Sequence, residues 1–153
     1  MKKYLLLVLC AVLLTMCLTA CGDSSSAADS SLSEENKTEM LETANANAKR
    51  VFTTANNYTA DRVADGKSVE SLEYTGAVDE LPADHFLSEP IKAALKETCG
   101  DELGYISIRF VLNEEDSNFA QWSESESGTI VGQYPNPPKS YDKATKITLG
   151  KKA

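Results

Sequence analysis

Histidine, cysteine and positive charge are all in short supply in this chain of 153 residues. His85 is the only histidine, and of the four cysteines Cys10, Cys17 and Cys21 fall near the start, leaving Cys99 alone in the rest of the sequence. Zinc needs clustered Cys and His ligands, so a zinc centre is excluded. Nucleophilic catalysis needs an activated Ser or Cys beside a base. There is no G-x-S-x-G, and on one straight helix Cys99 and His85 would be separated by about 20 Å at 1.5 Å per residue. His85 is therefore read as a surface residue in the loop with Pro82 and Asp84. Cys99 is read as a small buried hydrophobe, with an intermolecular cross-link or a reactive thiol as the alternatives. Glycine-rich phosphate loops are missing too, so neither an enzyme nor a cofactor is expected. Lys and Arg together number 15 against 23 Asp and Glu, a net charge of −8. Phosphate backbones and anionic lipid repel such a surface, which excludes nucleic acid as an expected partner.

What is present begins with an export signal. Lys2 and Lys3 precede an apolar stretch from Tyr4 to Cys17, and small residues follow at Thr19 and Ala20. Positive start, apolar middle and small residues at a cleavage point are the secretory pattern. The uncharged run is interrupted by Thr15 and Thr19, and it falls short of the roughly 20 apolar residues that cross a bilayer comfortably. The stretch Leu18-Thr19-Ala20-Cys21 also resembles the lipobox of bacterial lipoproteins. That resemblance covers only this first segment. It implies cleavage of residues 1–20 and a diacylglyceryl group on the Cys21 thiol, hence membrane attachment through lipid at the extracytoplasmic face of the cell membrane. Two acyl chains, at about 0.8 kcal/mol per buried methylene, make a stable anchor. Losing Lys2 and Lys3 would leave 13 basic and 23 acidic side chains, a net of 13 − 23 = −10. The acyl group, and no basic patch, would then hold the chain to the membrane.

After Cys21 comes Gly22 to Ser33, dominated by Ser, Ala and Asp and expected to be a flexible tether. Residues 34–153 then have the length of one small domain, and with Cys21 acylated no disulfide can staple it. From Glu34 to Asp65, Met40, Leu41, Ala44, Ala48, Val51, Phe52, Ala55, Tyr58 and Arg62/Val63 recur at three- and four-residue steps, the period of a long amphipathic helix. Ser31 with Glu34 has capping-box spacing, Gly66 supplies a stop, and Phe52 and Tyr58 are the expected bulky anchors. Ser68 to Val78 is read as a strand or an extended connection. A second helix is expected before Gly100, starting near Ser88 or Glu89 with Pro90 in its first turn. Tyr105–Leu112, Asn118–Ser123 and Thr129–Tyr134 read as strands of an antiparallel meander, and Lys146–Leu149 as a further edge strand. The fold class is α+β, a long N-terminal helix packed on a small antiparallel sheet, because each must bury one apolar face.

The helix segment Asn45-Ala46-Asn47-Ala48-Lys49-Arg50-Val51-Phe52 with Ala55-Asn56-Asn57-Tyr58, followed by Phe119-Ala120-Gln121-Trp122-Ser123 and Ile130-Val131-Gly132-Gln133-Tyr134-Pro135, resembles the globular part of type IV pilin-like and pseudopilin proteins. The resemblance covers about residues 36–150. It departs from the family where the stem should be: there is no Gly before a prepilin cleavage site, no Phe-type residue after it, and no registering Glu on an apolar helix. It therefore implies a pilin-like head working as a tethered single domain or accessory.

Two ligand-binding readings remain. The acidic loops Asn113–Asn118 and Ser123–Ser127, if they met at one end of the meander, would offer oxygens to calcium, although they lack EF-hand spacing; solvated loops are the default reading and no metal site is expected. Trp122 and Tyr134, with Tyr105 and Tyr141 nearby in the sequence, would form a glycan or peptide platform if their rings faced solvent, whereas burial in the core is the commoner fate. Non-enzymatic adhesion, assembly or partner binding at the envelope is thus the leading functional expectation, with a solute- or glycan-binding surface lipoprotein as the alternative.

Overall fold

A computed structural model describes residues 33–151. The export segment 1–20, Cys21 and nearly all of the expected tether lie outside the described residues. The first helix, α1, spans Glu34–Ala64. Its cap is Ser33, whose Oγ accepts from the Asn36 N–H at 3.2 Å; Ser31, the expected cap, lies outside the described residues. Glu34 and Glu35 lie against the positive end of the helix dipole. At the far end Gly66 adopts φ +70°. Its N–H bonds Val63 O at 3.0 Å and the Lys67 N–H bonds Arg62 O at 2.9 Å, a Schellman closure that only a residue comfortable at positive φ completes without strain.

The expected stripe is buried at Leu41, Ala44, Ala48, Val51 and Ala55, and Phe52 is half-buried against the core. Tyr58 and Val63, however, stand 47% and 58% exposed. The reason is length. A helix of 31 residues is about 46 Å long, whereas six-residue strands extend only about 20 Å. The last turns of α1 therefore reach past the strands, where Thr59 stays buried and Arg62 lies over the Phe86 ring but Tyr58 is no core anchor.

Strands β1 (Leu72–Ala77), β2 (Tyr105–Phe110), β3 (Phe119–Ser123) and β4 (Gly132–Tyr134) form an antiparallel sheet in the order β1-β2-β3-β4. The first is the segment that sequence left between strand and extended connection. Ile106 pairs with Trp122 and Gly76, and Ile108 with Ala120 and Tyr74, which sets these residues on the face toward α1. Pairing of Ser107 with Gln121 and Thr75, and of Gln121 with Gln133, sets a polar row on the opposite face. Helix α2 (Ser88–Cys99) begins where expected, with Pro90 in the first turn, and buries Ile91 and Leu95. It docks beside α1, where Arg50 and Glu97 approach to 3.4 Å.

The C-terminal segment corrects the sequence reading. Lys146–Leu149 forms no strand. After the short helix α3 (Tyr141–Ala144) the chain crosses the polar face of the sheet, where the Gly150 N–H donates to Gln121 Oε1 at 2.8 Å and Gln121 Nε2 donates to Lys151 O at 2.7 Å. A side-chain amide, and no ladder, holds it. Gln121 and Gln133 are thereby buried at 0% and 1% exposure with their amides bonded to each other at 3.1 Å.

At Gly132 the two layers come into backbone contact. A Cβ there would stand 2.5 Å from Asn45 N and coincide with the Ala44 carbonyl group. Asn45 closes the same junction, accepting from the Gln133 N–H at 3.3 Å and donating to Pro138 O at 3.1 Å.

Candidate functional site

Packing divides the candidate aromatic residues. Trp122 faces α1 and is 7% exposed, with its indole N–H donating to Leu103 O at 2.9 Å. Gly104, at φ +77°, lies flat under that ring, where a Cβ would be 3.0 Å from two ring carbons. A buried ring with its one donor occupied is a core element, the commoner of the two fates weighed for Trp122, and it offers no open platform. Sequence spacing places Trp122 on a strand but cannot tell which face of the sheet is covered. Tyr134 is half-buried, its ring 5.2 Å from the Phe52 ring and 5.9 Å from Lys49 Nζ. Tyr134 and Trp122 share the face toward α1. Tyr141 is met by Lys37 Nζ at 5.5 Å from its ring centre.

The two acidic loops do not meet. Asn113–Asn118 joins β2 to β3 and Glu124–Gly128 joins β3 to β4, and successive connections of an antiparallel meander fall at opposite ends of the shared strand. Among the described residues no group of three or more His, Cys, Asp or Glu side chains is gathered as metal ligands. The first loop lines an open hollow with Asn113, Glu114, Asp116 and Ser117. Its chemistry is that of an ion-pair hub. Arg109 bonds Glu73 at 3.1 Å and Glu114 at 2.8 Å, and Ser117 Oγ donates to Glu114 O at 2.8 Å. Sequence reasoning missed Arg109 as a centre because Glu73 lies on a strand far away in the chain.

His85 and Cys99 are kept apart by α2, His85 preceding its first turn and Cys99 ending it. His85 Nδ1 accepts from the Leu87 N–H at 3.2 Å, its ring stacks on Phe86, and its Nε2 is buried without a hydrogen-bond partner among the described residues. Cys99 is half-buried where a fully buried thiol was expected, and its Sγ accepts from Asn47 Nδ2 at 3.3 Å. Asn47 also accepts from the Thr98 hydroxyl at 3.2 Å, so a buried amide ties α1 to the end of α2. No hydrogen bond joins His85 to Cys99 among the described residues.

Two titrations are displaced. Burial, aided by Glu80 and Tyr105, raises the Tyr74 phenol above its ordinary value of 10.0. Its hydroxyl donates to Ala77 O at 2.7 Å. Asp65 is lowered below 3.8 by the hydrogen bond and charge of Lys67, with Nζ 2.7 Å from Oδ2.

Comparison of the chain with family models, curated proteins and solved structures gave no match. Its function therefore has to be read from its own residues.

Proposed function

We propose that the chain is a lipid-anchored, non-enzymatic envelope protein, attached through Cys21 at the extracytoplasmic face of the cell membrane and presenting residues 34–153 for adhesion, assembly or partner binding. The observation that carries this reading is Leu18-Thr19-Ala20-Cys21 at the end of an export signal, followed by a Ser/Asp-rich stretch and then a core that begins at Ser33. No helix among the described residues is long and apolar enough to cross a membrane. Attachment in this reading rests wholly on the segment before Ser33. The order of a long helix followed by an antiparallel sheet supports the pilin-like version, in which an acyl group replaces the apolar stem and the head acts singly or as an accessory. The glycan-binding alternative loses its larger ring to the core, since Trp122 is buried.

Labelled palmitate fed to cells expressing the full chain tests the anchor. Label is expected on the wild type and lost in Cys21→Ser, with the variant leaving the membrane fraction. Label that persists in Cys21→Ser, or a variant that stays in the membrane fraction unlabelled, would refute the anchor. Protease added outside spheroplasts is expected to remove the head, and full protection would place it on the wrong face.

A further inference from the structure

The two edges of the sheet are finished differently. Along β4 the backbone of α1 lies against Gly132, and Asn45 takes the outward Gln133 N–H. Among the described residues no further strand lies beyond β1. Ladder geometry settles which backbone groups of β1 face away. The Val78 N–H bonds Gly104 O at 3.0 Å in continuation of the β1–β2 register, so Leu72, Tyr74 and Gly76 turn their N–H and C=O toward β2. Glu73, Thr75 and Ala77 turn theirs outward. Leu72–Ala77 contains no proline and no lysine, and its six residues pair one for one with β2, without a bulge. Of the usual guards of an exposed edge it keeps one charge, Glu73, and that charge is paired with Arg109.

We propose that β1 is a docking strand for a second copy of this chain, the two β1 strands pairing antiparallel about a two-fold axis at Thr75 so that one sheet runs through both molecules. The register argues for a copy. Centred on Thr75, the pairing uses all three outward residues of both strands, Thr75 facing Thr75 and Glu73 facing Ala77 of the second copy. It also keeps the two Glu73 carboxylates apart. Each Glu73 keeps its own Arg109 at 3.1 Å, and the two carboxylate positions lie four residues apart, about 14 Å, beyond a screening length of about 8 Å. Centring on Glu73 would set two carboxylates directly opposite, which is unfavourable. On the core side Tyr74 meets Gly76 of the second copy. In each copy that Gly76 is already covered by its own Tyr74 ring, a Cβ there falling 2.6 Å from the phenol oxygen, so the two rings come side by side across the axis. Ala77 O has a second lone pair, so it accepts both the Tyr74 hydroxyl and the Glu73 N–H of the copy.

The pairing goes beyond the anchored reading and uses it only as a source of local concentration, since one strand's breadth of contact makes a small interface. The test is made on the full chain in bacterial membranes, in a Cys99→Ser background, with single cysteines introduced and oxidised in place. Thr75→Cys is expected to give a covalent dimer absent from the parent, because facing Cα atoms about 5.5 Å apart are within disulfide reach. Glu73→Cys and Ala77→Cys are each expected to stay monomeric alone and to cross-link when expressed together. Thr75→Pro removes an outward N–H that the intrachain ladder does not use. Added to the Glu73→Cys and Ala77→Cys mixture, it is expected to lower the dimer yield about tenfold, two interchain hydrogen bonds being lost per pair. Its circular dichroism should be unchanged. Thr75→Cys remaining monomeric overturns the proposal, and so does equal cross-linking at all three positions, which is collision without register. Palmitate labelling of the same samples reads the anchor separately: a labelled chain without the dimer removes the pairing alone, and an unlabelled chain that cross-links removes the anchor alone.

Discussion

Replacing Gly132 by alanine tests the packing of α1 on β4 most directly. The added methyl would overlap the Ala44 carbonyl group and come within 2.5 Å of Asn45 N. Those atoms are helix backbone, and no side-chain rotation moves them. Either α1 or β4 must shift. Overpacking of this kind costs about 3 kcal/mol. A shift also stretches the Asn45 bonds to Gln133 N and Pro138 O, now 3.3 Å and 3.1 Å. At about 1 kcal/mol each these raise the total to about 5 kcal/mol, the whole stability of a weak domain. Urea unfolding followed by tryptophan fluorescence measures it, Trp122 being the only tryptophan and buried. Gly66→Ala is the control, since a Cβ there meets nothing within 4 Å and only the φ of +70° is strained. It should cost about 1 kcal/mol. Trimming the neighbour, Ala44→Gly, should not rescue Gly132→Ala, because the obstructing atoms are backbone. If Gly132→Ala lost no more than Gly66→Ala, or if Ala44→Gly restored it, the contact between layers would be wrong.

Trp122→Phe removes the bond to Leu103 O and leaves space at the sheet's inner face; a loss of about 2 kcal/mol in chemical denaturation is expected, and a neutral result would return the ring to the surface. Tyr74 gives a pH dependence. Its raised phenol makes the folded state hold its proton more tightly than the unfolded chain does. This contribution is complete below the ordinary value of 10.0 and is lost as pH rises through that value toward the raised one. Tyr74→Phe should therefore flatten the fall in stability seen in alkaline melts, and an identical slope would count against the assignment. Gln121→Leu removes the amide that holds the C-terminal segment, so hydrogen exchange at Gly150 should accelerate to that of an open segment while α1 keeps its protection. Ser33→Ala should cost about 1 kcal/mol through loss of the helix cap, read as a lower melting temperature.

The amino-acid sequence by itself determined whatever depends on near neighbours. The three- and four-residue spacing of Leu41, Ala44, Ala48, Val51 and Ala55 drew the buried stripe of α1, and Gly66 marked its end because the closing bonds are local. Alternating β-branched and aromatic residues gave β2 and β3 to within a residue or two, and Pro90 found its place in the first turn of α2. The resemblance of Leu18-Thr19-Ala20-Cys21 to a lipobox is legible at this level too, its pattern lying in four consecutive residues. Tertiary structure decided what depends on partners distant in the chain. Trp122 and Gln121 are adjacent, yet pairing sent one toward α1 and the other beneath the C-terminal segment. Loop composition brought two acidic segments to notice, but the alternation of a meander put them at opposite ends of β3. The apolar spacing of Tyr58 and Val63 continued the stripe past the point where the sheet stops. In each case periodicity specifies a face, while burial requires a second surface to cover it. Only assembly of the sheet, α2 and the C-terminal segment around α1 supplies that surface, and the same assembly closes the β4 edge with Asn45 and, among the described residues, sets no strand beyond β1.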